Sequence, residues 1–266
     1  MTAGRRRADI TIGGITVGVH TSDAAFLRMI EGRYAGFIGS TAAPDFEFAI
    51  DLIEPSATAG DADVRVFRAG SQWHFERGDF RAVWDPVARR GRIRQSANPY
   101  AIDSVLRIVH TLLLARQGGF LLHAASAVRN GRAFLFAGRS GAGKTTIARL
   151  APADARLLTD EISYVRREVE GYVAYGTPFA GELAQPGENL RAPVAAIYLL
   201  AQGRNTRVEP VNSAAAALGL LQNILFFAED AELVQAVFQA ALDCAERVPV
   251  QRLTFVPDSR VWELIR

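Results

Sequence analysis

The chain of 266 residues has one lysine and one cysteine, and it has no long uninterrupted hydrophobic run. Positive charge therefore comes almost entirely from arginine, and the net charge of +2 gives no field that would attract a polyanion such as nucleic acid. Cys244 cannot form an internal disulfide, and its place in an apolar helical pattern predicts a buried side chain. These absences exclude disulfide-stabilised, nucleic-acid-binding and membrane-spanning classes. They favour a cytoplasmic protein without a membrane partner.

Hydrophobic residues make up 49% of the chain, which is enough to build the cores of two small domains. A Gly13-Gly14 hairpin and polar–apolar alternation over residues 64–95 predict a β-rich N-terminal domain over residues 1–97. Asn98-Pro99 then starts a helix, because Asn98 can cap it and Pro99 fits its first turn. We expect the second domain to span residues 98–266. The first domain carries no chemical constellation, and recognition of an acceptor or assembly are its expected roles.

The single lysine lies in a phosphate-loop pattern, G-x-x-x-x-G-K-[ST]. In such a loop the main-chain amides bind phosphates, the lysine reaches the β- and γ-phosphates, and the following hydroxyl binds Mg²⁺. A compact ammonium suits the lysine position of this pattern better than a guanidinium does. It is also the one position at which the chain uses lysine in place of arginine. The predicted nucleotide-binding residues are Gly138, Arg139, Ser140, Gly141, Ala142, Gly143, Lys144, Thr145 and Thr146. Thr145 is also a predicted magnesium ligand.

A hairpin places a histidine beside this loop. Asn130-Gly131 is a strong type I′ turn signal, and it predicts antiparallel strands in which paired residue numbers sum to 261. His123 then falls opposite Gly138, the first glycine of the loop. It could donate a hydrogen bond to phosphate or assist proton transfer. The alternative is a structural histidine that bonds to a loop carbonyl.

The next predicted strand, residues 156–159, delivers Asp160 and Glu161. A strand reached through a helix should run parallel to the phosphate-loop strand, so that both carboxyl ends lie at one sheet edge. One carboxylate there can bind Mg²⁺ and the other can accept a proton from an alcohol, and the sequence does not decide which. Asp160 is the predicted magnesium ligand, and Asp160, Glu161, His123 and Lys144 are the predicted catalytic residues. The alternative for the acidic pair is a solvated turn.

Further along, residues 176–189 are rich in glycine and proline without periodicity. This pattern predicts a loop, and its place after the acidic pair suggests a lid that faces the substrate. Two apolar helices are predicted at 212–227 and 230–245, followed by a strand at residues 250–256.

With His123 ahead of "GRSGAGKT" and "LLTDE" directly after it, the segment 119–167 resembles the HPr kinase/phosphorylase family of protein serine kinases. The resemblance implies an α/β fold with a P-loop kinase core and a mixed sheet, of the type shared with phosphoenolpyruvate carboxykinase. It also implies ATP in the loop, Asp160 as base or magnesium ligand, and His123 as an assisting histidine. Glu161 replaces the second aspartate of the family, and "GTPFAGE" stands where its arginine-bearing loop is expected. The chain is therefore similar to divergent members associated with peptide modification.

The expected function is an ATP- and Mg²⁺-dependent kinase that phosphorylates a serine or threonine of a peptide or small protein. Two alternatives remain: a non-catalytic nucleotide-binding regulatory module, and a kinase that acts on a small molecule. The sequence leaves open whether the chain forms a homo-oligomer, and whether it prefers ATP or GTP.

Overall fold

The computed structural model describes residues 6–39, 41, 43–55 and 63–265. The chain divides into two compact units. The first consists of Met1–His110 and Phe227–Ala231, and the second of Thr111–Phe226 and Glu232–Arg266. The chain passes from the first unit to the second within the helix that begins at Pro99.

The first unit consists mostly of strands. In chain order its elements are β1 (Arg6–Ile12), β2 (Ile15–Thr21), α1 (Ala24–Arg33), β3 (Ile38–Gly39), β4 (Phe46–Leu52), β5 (Arg65–Ala69), β6 (Gln72–Arg77), β7 (Phe80–Asp85), β8 (Arg90–Gln95) and the first part of α2 (Pro99–Arg116). The eight strands form one sheet in the order β3-β1-β2-β4-β8-β7-β6-β5, and β4 is parallel to both of its neighbours. The predicted hairpin at Gly13-Gly14 and the predicted meander are confirmed.

Helix α2 begins as its sequence predicts. The Asn98 side-chain oxygen accepts hydrogen bonds from the amides of Tyr100, at 3.0 Å, and Ala101, at 3.1 Å. These bonds satisfy donors that have no partner within the first turn of a helix. The chain leaves the helix through Gly118, whose φ of +69° suits glycine.

The second unit contains the remaining elements. In chain order they are β9 (Phe120–Arg129), β10 (Arg132–Ala137), α3 (Lys144–Arg149), β11 (Arg156–Thr159), β12 (Ile162–Glu168), β13 (Gly171–Tyr175), β14 (Arg191–Gln202), β15 (Arg207–Pro210), α4 (Ser213–Leu221), β16 (Ile224–Leu225), α5 (Ala231–Arg247) and β17 (Val250–Phe255). Strand β9 pairs with β12 and β16 along its first half and with β10 and β11 along its second half. Strand β14 pairs with β13 at its start and then runs parallel to β10 and β17. The architecture is therefore mixed α/β, as predicted, and both sheets are mixed.

Two apolar clusters pack against opposite faces of β10, because successive side chains of a strand point to opposite sides. Leu135 packs in one cluster with residues of α4 and α5, and this cluster also buries Cys244 as predicted. Phe136 packs in the other cluster with Ile147 of α3 and with Trp262. The Trp262 indole donates a hydrogen bond to the Ile147 carbonyl at 3.1 Å, which fixes α3 against the sheet. Within the described residues, no helix is long and apolar enough to cross a membrane.

The helix predicted over residues 212–227 is wrong in its second half. Helix α4 ends at Leu221, and Ile224–Leu225 form a short strand beside β9. Asn223 explains the break. Its side-chain amide donates to the Gly219 carbonyl at 2.8 Å, while its own carbonyl accepts from the His123 amide at 2.7 Å. Apolar periodicity alone could not reveal this, because the competing partner lies on a distant strand.

Candidate phosphate-loop site

The hairpin formed by β9 and β10 positions His123. Its turn, Asn130-Gly131, has φ angles of +52° and +72°, as a type I′ turn requires. The strands pair in the predicted register, and their last pair joins Ala124 to Ala137. His123 therefore stands one residue beyond this pair, where β10 gives way to Gly138.

Contacts on two sides hold the main chain of His123. Its amide donates to the Asn223 carbonyl, and across the sheet it pairs in register with Ile162. By strand alternation its ring shares a face with Ala125, which packs in the same cluster as α3. The imidazole is thus on the face that carries the helix after the phosphate loop.

The acidic pair lies in a break between two strands. Strand β11 is antiparallel to β9, so it runs in the same direction as β10, as predicted, but with β9 between the two. Thr159 pairs with Ser126, and pairing resumes at Ile162. Asp160 and Glu161 fill the gap, beside the segment of β9 that pairs with the end of β10. Both residues therefore lie at the sheet edge from which the phosphate loop departs.

Glu161 and His123 are hydrogen-bonded to each other. The distance between His123 Nε2 and Glu161 Oε1 is 2.9 Å, and each side chain is 30% exposed. With Glu161 ionised, the imidazole donates from Nε2, and this bond orients both groups. The structure thus brings a carboxylate and an imidazole, both partly exposed, into direct contact.

Asp160 has a different environment, because it is completely buried. Its Oδ1 accepts from the Gly181 amide and its Oδ2 from the Leu183 amide, each at 2.9 Å. A Cβ at Gly181 would lie 2.5 Å from Glu161 Oε2 and 3.0 Å from Asp160 Oδ2. The glycine therefore rests directly against both carboxylates, and no larger residue fits there without a shift.

Gly181 belongs to the predicted loop, which occupies residues 176–190 and is called the strap below. Main-chain hydrogen bonds join it to β11, from Thr177 to the Leu158 carbonyl at 3.1 Å and from Glu188 to the Leu157 carbonyl at 2.9 Å. Arg156 also forms an ion pair with Glu188. The loop prediction is confirmed, and Asp160 holds the middle of the strap while β11 holds its two ends.

The phosphate loop has the backbone that its glycines predict. Gly141 and Gly143 have φ angles of +77° and +108°, which other residues rarely adopt. A Cβ at Gly143 would also lie 2.7 Å from the Phe255 ring. The Gln202 amide group donates to the Gly141 carbonyl at 2.7 Å. The last residues of β14 and β17, Gln202 and Phe255, thus contact the loop and support it.

Most amides of this loop are available. Among the residues that the structure describes, the only amide of residues 139–143 that donates a hydrogen bond is that of Ala142, which bonds to the Arg139 carbonyl at 3.0 Å. Arg139 and Ser140 are exposed. Main-chain donors without protein partners in a glycine-rich turn are suited to an anion.

Lys144 folds back over the loop. Its Nζ donates to the Gly138 carbonyl at 3.0 Å and to the Arg139 carbonyl at 3.3 Å, and the residue is only 6% exposed. Burial lowers the pKa of this ammonium, while the charges of Glu161 and Glu182 oppose that shift. The two carboxylates therefore lie within electrostatic reach of Lys144.

The residues fit Mg²⁺ only in part. The hydroxyl of Thr145 and the carboxylate of Glu161 are partly exposed oxygen donors, and Thr146 is partly exposed as well. No group of three acidic, histidine or cysteine side chains in the described ranges could hold a metal ion by itself. Mg²⁺ needs only one or two carboxylates when phosphates and waters complete its shell. Asp160, a predicted ligand, is engaged with the strap on both oxygens.

Sequence reasoning missed Gly181, Glu182, Gln202 and Phe255. The last two end β14 and β17, so the rule that ligands bind beyond the carboxyl ends of parallel strands could have indicated them. Gly181 and Glu182 lie in a segment without periodicity, and their spacing from Asp160 carries no recognisable signal.

Comparison with curated proteins finds no match for this chain. A model of one protein family, described as SynChlorMet cassette protein ScmC, matches residues 95–266. The match covers the whole phosphate-loop site and more than half of the chain, and the chain therefore belongs to the ScmC family.

Proposed function

We propose that this protein is an ATP-dependent phosphotransferase whose acceptor is a hydroxyl group, a serine or threonine of a peptide or small protein. The observation that carries the proposal is the bond of 2.9 Å between His123 and Glu161, next to a glycine-rich loop with free amides and Lys144. A hydrolase needs only a positioned water, whereas a hydrogen-bonded base beside the loop also suits an alcohol acceptor. We further propose that the second unit is a P-loop kinase core of the HPr kinase type.

The loop and Lys144 bind the triphosphate. The main-chain amides of residues 139–143, other than that of Ala142, donate to the phosphate oxygens. The ammonium of Lys144 exchanges the Gly138 and Arg139 carbonyls for the more strongly charged phosphate oxygens. The buried position of Lys144 strengthens this attraction, because water competes less there. Arg139 and Ser140, both exposed, lie on the open side of the loop.

Glu161 accepts the proton of the acceptor hydroxyl. As the hydroxyl oxygen bonds to the γ-phosphorus, the bond from that phosphorus to the β–γ bridging oxygen breaks, and ADP leaves with the electron pair. The proton passes to Glu161, and the hydrogen bond from His123 orients the carboxylate for this transfer. When bound, Mg²⁺ would neutralise phosphate charge, with the partly exposed Thr145 hydroxyl as its protein oxygen donor.

Asp160 acts as an anchor in this proposal. Its two oxygens hold the Gly181 and Leu183 amides, and the strap thereby places Gly181 against Glu161. The burial of Asp160 favours a second candidate, a nucleotide-binding module without transfer activity. Asp160 is the residue expected as base or magnesium ligand, and both of its oxygens are occupied by the strap. The two candidates differ in whether a phosphoryl group moves.

The test uses ATP labelled on the γ-phosphate, Mg²⁺ and an extract of the source organism. Wild-type protein is compared with Glu161→Gln and with Glu188→Gln, a matched change on the exposed part of the strap. Label is followed in proteins, peptides and small molecules.

The expected result is an acid-stable mark on a peptide or protein with the wild type and Glu188→Gln, and its loss with Glu161→Gln. Label on a metabolite would replace the proposal with a small-molecule kinase. Saturable ATP binding without any transfer would establish the regulatory module instead.

A further inference from the structure

A second feature of the same unit lies beyond the carboxyl ends of β14 and β17. A cleft of about 560 Å³ opens there between the segment that follows β14 and the segment that follows β17. This volume is typical of small-molecule sites, about 300–1,000 Å³. It is lined by Arg204, Asn205, Thr206, Val256, Asp258, Arg260 and Leu264. None of these residues stood out in the sequence.

The cleft adjoins the phosphate loop through the two strands that support it. Gln202, which bonds to the Gly141 carbonyl, is two residues before Arg204. Phe255, whose ring faces Gly143, directly precedes Val256. A hydrogen bond of 3.1 Å from the Val256 amide to Thr206 Oγ1 joins the two walls. A ligand held by the loop at its phosphates could therefore extend into this space.

The lining suits a nucleoside. Val256 and Leu264 are large apolar side chains that are 36% and 42% exposed, and an aromatic base would cover them. The Asn205 amide offers both a donor and an acceptor, the pattern that pairs with the edge of adenine. Arg204 and Arg260 outnumber Asp258 in the lining, so the cleft carries net positive charge. That charge is compatible with a neighbouring polyphosphate.

Another cleft of about 660 Å³ in this unit does not fit the same ligand. It is lined by the turn between β12 and β13 and by Arg191, Ala192 and Pro193 at the amino end of β14. Pro193 and Gln202 lie at opposite ends of a strand that rises about 3.3 Å per residue, so roughly 30 Å can separate them. One nucleotide cannot have its phosphates at the loop and its base there.

We infer that the cleft between Arg204–Thr206 and Val256–Leu264 binds the base and ribose of the nucleotide whose phosphates lie in the loop. This inference rests on the proposed function, because it needs a nucleoside triphosphate at the loop. It assigns the base to a part of the chain in which no specificity motif is recognisable.

The test measures the affinity of the full chain for two probes by calorimetry: ATP with Mg²⁺, and inorganic tripolyphosphate with Mg²⁺. The second probe has the phosphates without base or ribose. Asn205→Ala and Val256→Asp change the cleft, and Val169→Asp places the same charge on an exposed residue of the other cleft. Asn205 is exposed, so its truncation leaves the core intact even if Val256→Asp were to disturb folding.

We expect the wild type to bind ATP at least tenfold more tightly than tripolyphosphate. Each cleft variant should weaken ATP binding about tenfold, with tripolyphosphate affinity within twofold of wild type, while Val169→Asp changes neither. Equal affinity for the two probes, or cleft variants that leave ATP binding unchanged, would overturn the inference and leave the phosphate site in place. Failure of the wild type to bind either probe would overturn the proposed function itself, and the inference with it.

Discussion

The second unit has two glycine-rich loops, the phosphate loop and the strap, and the main-chain amides of the two are used differently. In the phosphate loop, Ala142 provides the only amide of residues 139–143 that bonds within the described chain. In the strap, the amides of Thr177, Gly181, Leu183 and Glu188 all donate to β11 or to Asp160. Glycine content alone therefore does not predict whether the amides of a loop are bonded within the protein. In the described residues, the phosphate loop leaves most of its amides without a protein partner, whereas β11 and Asp160 accept from several amides of the strap.

The same contrast separates the two carboxylates. Asp160 is buried and saturated by the strap, whereas Glu161 is partly exposed and bonded to His123. Substitution of Asp160 should therefore change the stability of the protein, whereas substitution of Glu161 should change the rate of phosphoryl transfer. The following predictions test that division, and the largest expected effect comes first.

Glu161→Gln should reduce the rate of phosphoryl transfer by about 10²- to 10⁴-fold, because the amide cannot accept the acceptor's proton. ATP affinity should stay within a few fold, since Lys144 and the loop amides are unchanged. Single-turnover transfer and calorimetric binding measure the two quantities. A variant that keeps its transfer rate would remove Glu161 from the role of base and return that role to Asp160.

Lys144→Ala should weaken ATP binding by about 100-fold, because two charge-assisted hydrogen bonds of about 1.5 kcal/mol each are lost. Arg149→Ala is the matched control, since Arg149 is exposed on the same helix. Calorimetry with ATP and Mg²⁺ measures both variants. Equal losses for the two would mean that the charge of the region matters, and not the position of the ammonium.

Asp160→Ala should lower the free energy of unfolding by about 2–6 kcal/mol, since the Gly181 and Leu183 amides lose their acceptor at about 1–3 kcal/mol each. The strap should also become sensitive to proteases between residues 178 and 186. Urea denaturation and limited proteolysis report these effects. Asp160→Asn keeps one acceptor oxygen and should lose roughly half as much.

If Asp160→Ala leaves both the stability and the protease pattern unchanged, Asp160 does not anchor the strap. The residue would then be available for the magnesium role that the sequence predicts.

Gly181→Ala should destabilise the protein by about 1–3 kcal/mol, because its Cβ has no room against Glu161 and the strap must shift. Gly32→Ala in α1 is the control, since nothing lies within 4 Å of its Cβ and alanine favours a helix. Thermal unfolding compares the two. Equal melting temperatures for Gly181→Ala and wild type would show that the strap gives way freely at this point.

Local patterns in the sequence predict much of the fold. The Asn98 cap, the Asn130-Gly131 turn and the register that follows it each depend on a few neighbouring residues, and each is confirmed. The end of α4 does not follow the local pattern, because Asn223 bonds to His123 on a strand about a hundred residues earlier. Periodicity describes one segment at a time, so it cannot foresee such a bond.

The sequence by itself determined the positive-φ glycine turn within residues 138–145, the place of His123 one residue beyond the last pair of the hairpin, and the direction of the strand that ends in the acidic pair. Turn chemistry, strand alternation and glycine's access to positive φ act over short stretches of chain and can be read there. Only the tertiary structure decided which carboxylate is accessible. The amides that bury Asp160 come 21 and 23 residues later, from a loop without periodicity. Whether a side chain keeps its contact with solvent depends on such distant partners, because burial is a property of the packed chain.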